Sequence, residues 1–479
     1  MTGKSIYWYD FETFGSNPRR DRAAQFAGIR TDEELNILGE PLVIYCKPAN
    51  DFLPSPEACL ITGITPQLAL EKGLDEAEFI RLIHQQFSQP ETCVAGYNSI
   101  RFDDELTRQL LYRNFYDPYA REWKAGNSRW DIIDMLRLCA AARPEGINWP
   151  INEKGNISFR LEKLTAANDI AHADAHDALA DVIATIEMAK LVRQQQPKLY
   201  DYVYQLRSKR VVESHLDVIH KKPVIHVSSM YPPAQGCLAL VAPLCLHPDD
   251  KNGVVVYDLR ENPDVWMSLS PEEISQRIFT RTDELPEHIH RIPLKTLHIN
   301  RCPIVAPMAI LDEEKFRKFG IDKDSCNRHW QTLCKARDLP AKIREALKSS
   351  DLPAENDPDF MIYSGGFFSE GDRKLMDVIR ESTPEQLAML NLPFRDRRLA
   401  ELLFRYRARN YPETLDLDEQ QRWQSYRHQR LTDSDYRSQF DTAIEQATQK
   451  ACDEQQIQIL RSVSQYVEDI SPRERPTES

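Results

Sequence analysis

Asp10 and Glu12 lie two positions apart in residues 5–12, an aromatic-rich stretch whose composition predicts a β-strand. Because a strand points residues i and i+2 to the same face, the two carboxylates are expected side by side. Paired carboxylates repel each other unless a cation lies between them, and hard oxygen ligands favour Mg²⁺ or Mn²⁺ over zinc. A solvated strand edge is the alternative explanation.

A second acidic motif ends the segment 98–105, which follows a short apolar stretch and precedes leucines at helical spacing. This pattern predicts a strand, a loop and the start of a helix. Asp103 follows an apolar residue and is expected near the inner face, whereas Asp104 and Glu105 suit the first helical turn electrostatically. Alternatively, all three acids serve only the helix N-terminus.

His176 and Asp181 open an alanine-rich segment that predicts a helix continuing through Met188. Five positions on a helix correspond to more than one turn, so we expect His176 at the helix entrance and Asp181 facing inward. In that position the imidazole could take a proton from a metal-held water. A surface or capping role is the alternative, and His172 is interpreted as a loop residue because no zinc motif surrounds it.

The order Asp-x-Glu, Phe-Asp and His-x4-Asp resembles the DEDDh exonucleases of the ribonuclease H-like fold. Within that family the chain resembles bacterial exonuclease I over nearly its whole length, notably at residues 98–105, 112–119, 127–131, 143–150 and 406–411. The turn at Thr65 and Pro66 is also similar, and it predicts a helix that Thr65 caps and Pro66 begins.

The resemblance implies a 3′→5′ exodeoxyribonuclease that degrades single-stranded DNA to 5′-mononucleotides and acts in DNA repair and recombination. In such a site Asp10, Glu12 and Asp181 bind a pair of Mg²⁺ ions, which Mn²⁺ could replace, and Asp103 completes the cage. The metals, about 3.5–4 Å apart, stabilise the attacking and leaving oxygens. His176 acts as the general base.

The chain has 61 Lys+Arg against 74 Asp+Glu, a net charge of −13, so its overall charge does not attract DNA. Binding then depends on local basic tracks and on aromatic stacking, worth about 1–3 kcal/mol per base. Residues 108–137 interleave cations and rings, and we predict DNA contacts by Arg108, Tyr119, Trp123 and Arg137. A charged helical surface around core aromatics is the alternative.

The resemblance also implies that Glu12 and Arg160 contact the substrate, although Arg160 could be a plain surface arginine. Thr13 and Phe14 either line the terminal nucleotide pocket, with Phe14 stacked on a base, or pack against the first turn. Lys222 and the arginines at 405, 407 and 409 could supply basic character to a DNA groove, but most of them are interpreted as residues of solvated faces.

The length predicts about three domains of roughly 150 residues each. The first is an exonuclease domain at 1–195 with a mixed α/β fold of the ribonuclease H type, ending near the polar segment 193–198. Runs of β-type residues predict a second, β-rich domain at 196–350, which resembles an SH3-like module; the runs are 224–227, 238–241, 254–257 and 304–310.

The segment 349–358 is rich in Ser, Asp and Pro and predicts the next boundary. From there, apolar residues at three- and four-residue spacing predict a helical C-terminal domain at 355–479, for example around Leu399 and between Ile444 and Tyr466. The tail 471–479 is predicted to be disordered.

The ten cysteines form no Cys-x-x-Cys pair, which is typical of reduced thiols in a cytoplasmic protein. The longest apolar run, at 238–246, contains Pro243 and is far shorter than the roughly 20 residues that span a bilayer, so no membrane association is expected. The resemblance implies one protein partner, the acidic C-terminal tail of single-stranded DNA-binding protein. We expect a monomer.

Two other functions remain open from the sequence. An RNA-directed exonuclease would use the same catalytic residues. A protein of a different class, a DNA-binding scaffold, would retain the site in an idle form.

Overall fold

The computed structural model describes residues 3–172, 176–348 and 355–471. The chain forms two compact units. Unit 1 consists of residues 1–128, 173–183 and 354–479, and unit 2 consists of residues 129–172 and 184–353.

The strands are β1 (Ser5–Thr13), β2 (Ala23–Asp32), β3 (Leu42–Tyr45), β4 (Thr92–Gly96), β5 (Ser128–Asp131), β6 (Val224–Val227), β7 (Leu238–Leu246), β8 (Gly253–Asp258), β9 (Leu294–His298) and β10 (Ile304–Ala306). The helices before the second sheet are α1 (Pro56–Thr62), α2 (Pro66–Lys72), α3 (Glu76–Phe87), α4 (Asp103–Arg113), α5 (Ile133–Ala142), α6 (Leu161–Ala167), α7 (Ala178–Gln195), α8 (Pro197–Gln205) and α9 (Lys209–His215). The later helices are α10 (Asp264–Met267), α11 (Pro271–Phe279), α12 (Glu313–Lys318), α13 (Lys323–Lys335), α14 (Leu339–Ala346), α15 (Glu370–Glu381), α16 (Pro384–Met389), α17 (Arg397–Asn410), α18 (Leu417–Leu431), α19 (Ser434–Lys450) and α20 (Glu454–Ile470).

The sheet of unit 1 has β1 in its interior, in the order β3-β2-β1-β4. β1 runs antiparallel to β2 and parallel to β4, so the sheet is mixed. On one face of β1, Tyr9 packs against Phe87 at 4.9 Å and Phe11 against Phe26 at 5.0 Å between ring centroids. Because side chains alternate along a strand, Asp10 and Glu12 lie on the face opposite this aromatic core.

Three local predictions for unit 1 are confirmed. The strand predicted at residues 5–12 is β1, and the helix predicted to start near Asp103 is α4. Thr65 caps α2, because its hydroxyl accepts a hydrogen bond from the Leu68 amide, and Pro66 is the first helical residue.

The C-terminal helices of unit 1 pack on its N-terminal elements, and α17 contacts α3. The interpretation of three α17 arginines as solvated is wrong. All three are buried, and Arg405 pairs with Asp359 at 3.0 Å, Arg407 with Glu419 at 2.6 Å and Arg409 with Asp51 at 2.8 Å. Helical spacing puts Arg405 and Arg409 on one side of α17 and Arg407 on the opposite side, but it does not identify their acidic partners, which lie elsewhere in the sequence. Lys222 is exposed.

Unit 2 contains an antiparallel sheet in the order β10-β6-β7-β8-β9. The runs at 224–227, 238–241 and 254–257 are strands, as predicted. The run at 304–310 is a strand only to Ala306, because Pro307 has no amide hydrogen for the ladder, and a short 3₁₀ turn follows. β9 was not predicted, since its half-buried residues mix apolar and polar types.

The predicted helical character of the C-terminal region is confirmed by α15–α20. The apolar pattern between Ile444 and Tyr466 is divided between two helices, since α19 ends at Lys450 and Asp453 caps α20. Residues 349–354, where a boundary was predicted, and the tail 472–479 lie outside the described residues. No helix in the described ranges is long and apolar enough to cross a bilayer.

Candidate active site

The acidic cluster of unit 1 is built on β1. Glu12 is buried, Asp10 is half-buried, and both extend from the face opposite the aromatic core. Phe14, two residues further on, is 1% exposed and packs with Phe52, so it is a core residue in this structure. The strand is therefore fixed by apolar packing before and after its two acids.

Asp103 comes to β1 from the first residue of α4. Its Oδ1 accepts a hydrogen bond from the Phe11 amide at 3.2 Å, which places its carboxylate beside the strand between Asp10 and Glu12. Asp103 is 4% exposed. The main chain that joins the two strand acids therefore also holds the third carboxylate.

The neighbouring residue, Asp104, has a different environment. Its Oδ1 accepts hydrogen bonds from the Tyr9 hydroxyl at 2.9 Å and from Arg121 Nη2 at 2.5 Å. A charge-assisted hydrogen bond between two fully buried groups is a structural contact that fixes the start of α4. Of the two adjacent aspartates, Asp103 belongs to the acidic cluster and Asp104 to the ion pair beneath it.

The beginning of α7 supplies the remaining residues. Asp177 Oδ1 accepts hydrogen bonds from the Leu179 and Ala180 amides, both at 3.1 Å, as an N-cap does. The Ala178 amide donates to Gln25 Oε1 at 3.4 Å. Gln25 lies on β2 opposite Glu12 in the sheet register, so this contact connects α7 to the strand pair that carries the acids.

His176 lies two residues before α7 and is exposed. Its φ is 71°, in the left-handed region that non-glycine residues seldom occupy. Such backbone conformations cost energy and concentrate at functional sites. The imidazole is accessible to water at the edge of the cluster.

Glu12, His176 and Asp181 meet at one point. Each of the three side chains offers one atom that could bind a metal ion, and these three atoms all lie within 4.8 Å of one another. Carboxylate oxygens with one imidazole form a donor set suited to a divalent cation, and the oxygens favour Mg²⁺ or Mn²⁺. The residues present therefore fit a metal ion at this position.

The pKa values of the clustered carboxylates also indicate a site that favours a bound cation. Burial raises the pKa of Asp10 well above its usual range, and the charges of Asp103, Glu12 and Asp181 raise it further. Burial, followed by repulsion from Asp181 and Asp103, raises the pKa of Glu12 to about 9. The four carboxylates thus lie within electrostatic range of one another, and the site requires either protons or cations to offset its charge.

The predicted DNA contacts of unit 1 lie together on the far part of α4 and beyond. Arg108 is buried and donates to both carboxylate oxygens of Glu122, at 2.8 and 3.0 Å. Its guanidinium also lies 5.3 Å from the centre of the Tyr119 ring. Trp123 is 67% exposed. Part of the Arg108 charge is therefore neutralised by the protein, while Trp123 offers an open ring.

The other two predicted contacts belong to unit 2. Arg137 pairs with Asp134 at 2.5 Å, and its guanidinium lies 5.6 Å from the centre of the Phe159 ring. Arg160 immediately precedes α6, and its side chain is 77% exposed with Glu162 at 4.0 Å.

Three contributors were missed from the sequence. Asp177 had a recognisable signal, since an aspartate before an alanine-rich helix is a typical N-cap. Gln25 had no recognisable signal in the sequence, because its partner, Ala178, is 153 positions away. The Asp104–Arg121 pair joins residues 17 positions apart through a loop, so no helical spacing indicated it.

Comparison with known proteins matches nearly the whole chain to exonuclease I, the family that its motifs resemble. Residues 7–189 match the exonuclease family, residues 207–349 the exonuclease I SH3-like domain and residues 356–470 the exonuclease I C-terminal domain. The chain is 45% identical to exodeoxyribonuclease I of Escherichia coli (strain K12) over 97% of its own length and 98% of that protein. It belongs to the exonuclease I family. It is thus an enzyme that hydrolyses phosphodiester bonds, with an exonuclease domain, an SH3-like domain and a helical C-terminal domain.

Solved structures of exonuclease I superpose closely on this chain. Exonuclease I from Methylocaldum szegediense has 52% identity and a TM-score of 0.93, with 98% of this chain and 99% of that chain covered. E. coli exonuclease I in complex with a dA16 oligonucleotide has 44% identity and a TM-score of 0.94, with 98% and 100% covered. A zinc-bound complex of the E. coli enzyme with single-stranded DNA has a TM-score of 0.93 at 44% identity, with 98% and 99% covered.

Proposed function

We propose that this chain is a single-strand-specific 3′→5′ exodeoxyribonuclease that releases 5′-mononucleotides by two-metal-ion hydrolysis. The observation that carries the proposal is the meeting of Glu12, His176 and Asp181 beside Asp10 and Asp103, in a chain of the exonuclease I family. All five positions carry groups with the required chemistry. This argues against an idle DNA-binding scaffold.

Asp10, Glu12 and Asp181 would hold the metal ions, and Mg²⁺ suits their oxygen ligands. Bound there, a pair of divalent cations would stabilise the charge on the attacking and leaving oxygens. Asp103, which the Phe11 amide holds in place, adds the fourth negative charge.

His176 would act as the general base. Its exposed imidazole lies where a water can approach, and a ring nitrogen would take the proton as the water oxygen bonds to phosphorus. The bond between phosphorus and the 3′-oxygen of the preceding nucleotide breaks, and that oxygen gains a proton. The products are a 5′-mononucleotide and a strand with a new 3′-hydroxyl.

Glu12 and Arg160 would contact the substrate, and Arg108, Tyr119, Trp123 and Arg137 would contact single-stranded DNA. E. coli exonuclease I has been solved with DNA oligonucleotides, which supports single-stranded DNA as the substrate here. The exposed ring of Trp123 provides the stacking surface that sequence-independent binding uses.

We propose that the protein acts as a monomer in the cytoplasm, in DNA repair and recombination, and binds the acidic tail of single-stranded DNA-binding protein. The boundaries 1–195, 196–350 and 355–479 remain our proposed domain limits.

End-labelled substrates test the activity. Single-stranded DNA and RNA, labelled at either end, are incubated with Mg²⁺ or EDTA. We expect the 3′ label to appear at once as a mononucleotide from DNA with Mg²⁺, while the 5′ label stays on strands that shorten progressively. Cleavage of RNA at a comparable rate would establish the RNA-directed alternative.

Variants separate catalysis from binding. We expect Asp181→Ala to abolish cleavage, and Asp418→Ala, an exposed aspartate in α18, to behave as wild type. If wild-type protein binds DNA with Mg²⁺ and releases no nucleotide, the chain is a scaffold and the proposed activity is wrong.

A further inference from the structure

Tyr45 lies on the same face of the unit 1 sheet as the acidic cluster. In the sheet register Glu12 is opposite Gln25, and Gln25 is opposite Tyr45. Residues that are directly opposite in antiparallel strands extend from the same face. At the usual strand spacing, the Tyr45 backbone is about 10 Å from that of Glu12. The row therefore extends from a proposed metal ligand on β1 to a tyrosine on β3.

The Tyr45 side chain is held at the edge of the apolar core. It is half-buried and packs against the cluster that contains Phe14 and Ala69. The Lys72 ammonium lies 5.9 Å from the centre of its ring, and the Tyr45 carbonyl accepts a hydrogen bond from the Leu74 amide at 2.9 Å. These contacts engage the ring and the backbone, so the hydroxyl remains for polar partners.

Gln25 is a polar partner of that hydroxyl. Burial and the charge of Asp177 raise the pKa of Tyr45, whereas the hydrogen bond with Gln25 lowers it. A hydrogen bond lowers the pKa of a phenol when it is donated to the phenol oxygen, so the Gln25 nitrogen is the donor. The Asp177 charge attracts the phenol proton and favours this arrangement.

The other end of the Gln25 side chain holds the start of α7. Its Oε1 accepts a hydrogen bond from the Ala178 amide at 3.4 Å. That distance is long for such a bond, so its strength depends on the orientation of the Gln25 amide. If the amide rotated by half a turn, its nitrogen would face the Ala178 N–H, and two donors would oppose each other. The Tyr45 hydroxyl favours the orientation that keeps the bond.

We propose that Tyr45 is a positioning residue for the general base: its hydroxyl orients the Gln25 amide, which fixes Ala178 and thereby the turn that carries His176. His176 lies two residues before Ala178, and its φ of 71° requires support from the surrounding structure. The inference rests on the proposed function, in which His176 takes the proton of the attacking water.

Tyr45→Phe removes the hydroxyl and keeps the ring, so it is the first test. We expect kcat with Mg²⁺ on a short single-stranded DNA to fall about tenfold with KM nearly unchanged, because a displaced base slows the chemical step without weakening strand binding. Tyr426→Phe is the matched control, since it removes the hydroxyl of another half-buried tyrosine of unit 1, which accepts a hydrogen bond from Arg430 at 2.8 Å. It should retain the wild-type kcat. A Tyr45→Phe variant with wild-type kcat, or with a loss confined to KM, would contradict the proposal.

A second substitution tests whether Tyr45 acts through Gln25. Tyr45→Phe is compared in wild type and in Gln25→Leu, which has no amide to orient. The tenfold effect should disappear in the Gln25→Leu background, since two changes in one chain of contacts are not independent. Equal effects of Tyr45→Phe in both backgrounds would show that the hydroxyl acts independently of Gln25, and the proposal would be wrong.

Hydrogen exchange gives a readout that does not depend on activity. In the full chain in EDTA, the Ala178 amide should exchange about fivefold faster in Tyr45→Phe than in wild type or Tyr426→Phe, as expected when one ordinary hydrogen bond is weakened. The Ile186 amide, further along α7, should exchange as in wild type, which distinguishes a local change from a general loss of stability. An unchanged Ala178 rate would overturn the positioning role. Failure of the proposed function is seen separately, as wild-type protein that cleaves no labelled DNA with Mg²⁺.

Discussion

At the scale of single residues, the acids of unit 1 fall into two groups with opposite effects on stability. Asp104 has a buried cation and a hydroxyl as partners. Asp10 and Glu12 face mainly burial and other negative charges, which raise their pKa values. The first group stabilises the fold, and the second destabilises it until a cation binds.

Asp10→Asn should therefore abolish activity yet raise the free energy of unfolding in EDTA by about 1 kcal/mol, because it removes a repelled charge. Activity should fall at least about a thousandfold, as expected when a metal ligand that stabilises the transition state is lost. Urea unfolding and the end-label assay measure the two quantities. Asp104→Asn is the contrasting variant, expected to lose about 3–5 kcal/mol because Arg121 would stay buried without its partner. If Asp10→Asn were less stable than wild type in EDTA, Asp10 would not belong to the group of acids that destabilise the metal-free fold.

The affinity of the site for Mg²⁺ should increase as the pH rises. Because burial and neighbouring carboxylates raise the Glu12 pKa to about 9, the metal-free site carries protons at pH 7 that a cation must displace. Affinity for Mg²⁺ should increase between pH 6 and pH 9, and binding should release protons. Calorimetry in buffers of different ionisation enthalpy measures that release. Binding with no proton release at pH 7 would show that the site is already ionised.

At the scale of elements, the site depends on how the start of α7 is held against β2. Gln25 is 2% exposed, bonds to the Ala178 amide and hydrogen-bonds the Tyr45 side chain. Asp177 caps the same helix. Through these contacts a strand and a loop fix the position of His176 and Asp181.

Gln25→Leu should lower kcat by about ten- to a hundredfold with little change in KM, since small displacements of catalytic groups have effects of this size. Gln25→Glu keeps an acceptor for the Ala178 amide and should recover part of kcat in Mg²⁺. Steady-state kinetics on a short oligonucleotide, with circular dichroism as a check of folding, provide the measurement. If kcat is unchanged in Gln25→Leu, the helix is held by Asp177 alone.

At the scale of the whole molecule, a buried network of charges joins the two ends of unit 1. Arg22, Asp51 and Glu76 come from the N-terminal part, and Asp359 and Arg409 from the C-terminal part. Burial alone would raise the pKa of Glu76, but Arg113 and Arg22 outweigh it and lower the value to about 2. Asp359 is shifted in the same direction, because Arg409 and Arg405 outweigh its burial.

The network should make the protein sensitive to acid. A carboxylate whose folded pKa is lowered contributes stability above its unfolded pKa and loses it as the pH falls towards the folded value. For Glu76 that window runs from about 4.5 down to about 2. Asp359→Asn should cost about 3–5 kcal/mol at pH 7, and its difference from wild type should narrow below about pH 4. Urea unfolding at several pH values measures this, with Asp418→Asn as the exposed control. A difference independent of pH would show that the ion pairs do not carry the effect.

The sequence by itself determined the features that depend on neighbouring residues. Alternation along residues 5–12 placed Asp10 and Glu12 on one face, and the Thr65–Pro66 pair fixed the start of a helix. Such patterns are local because a strand or a helix turn is defined by a few consecutive residues. The resemblance of ordered motifs added the family.

Only the tertiary structure decided which charges are buried and with what partner. Asp103 and Asp104 are adjacent and chemically identical, yet one joins the acidic cluster and the other pairs with Arg121. Arg409 reaches Asp51 across 358 positions, and Gln25 reaches Ala178 across 153. The physical reason is that pairing inside a protein depends on distance in space and on exclusion of water, and neither follows from spacing along the chain.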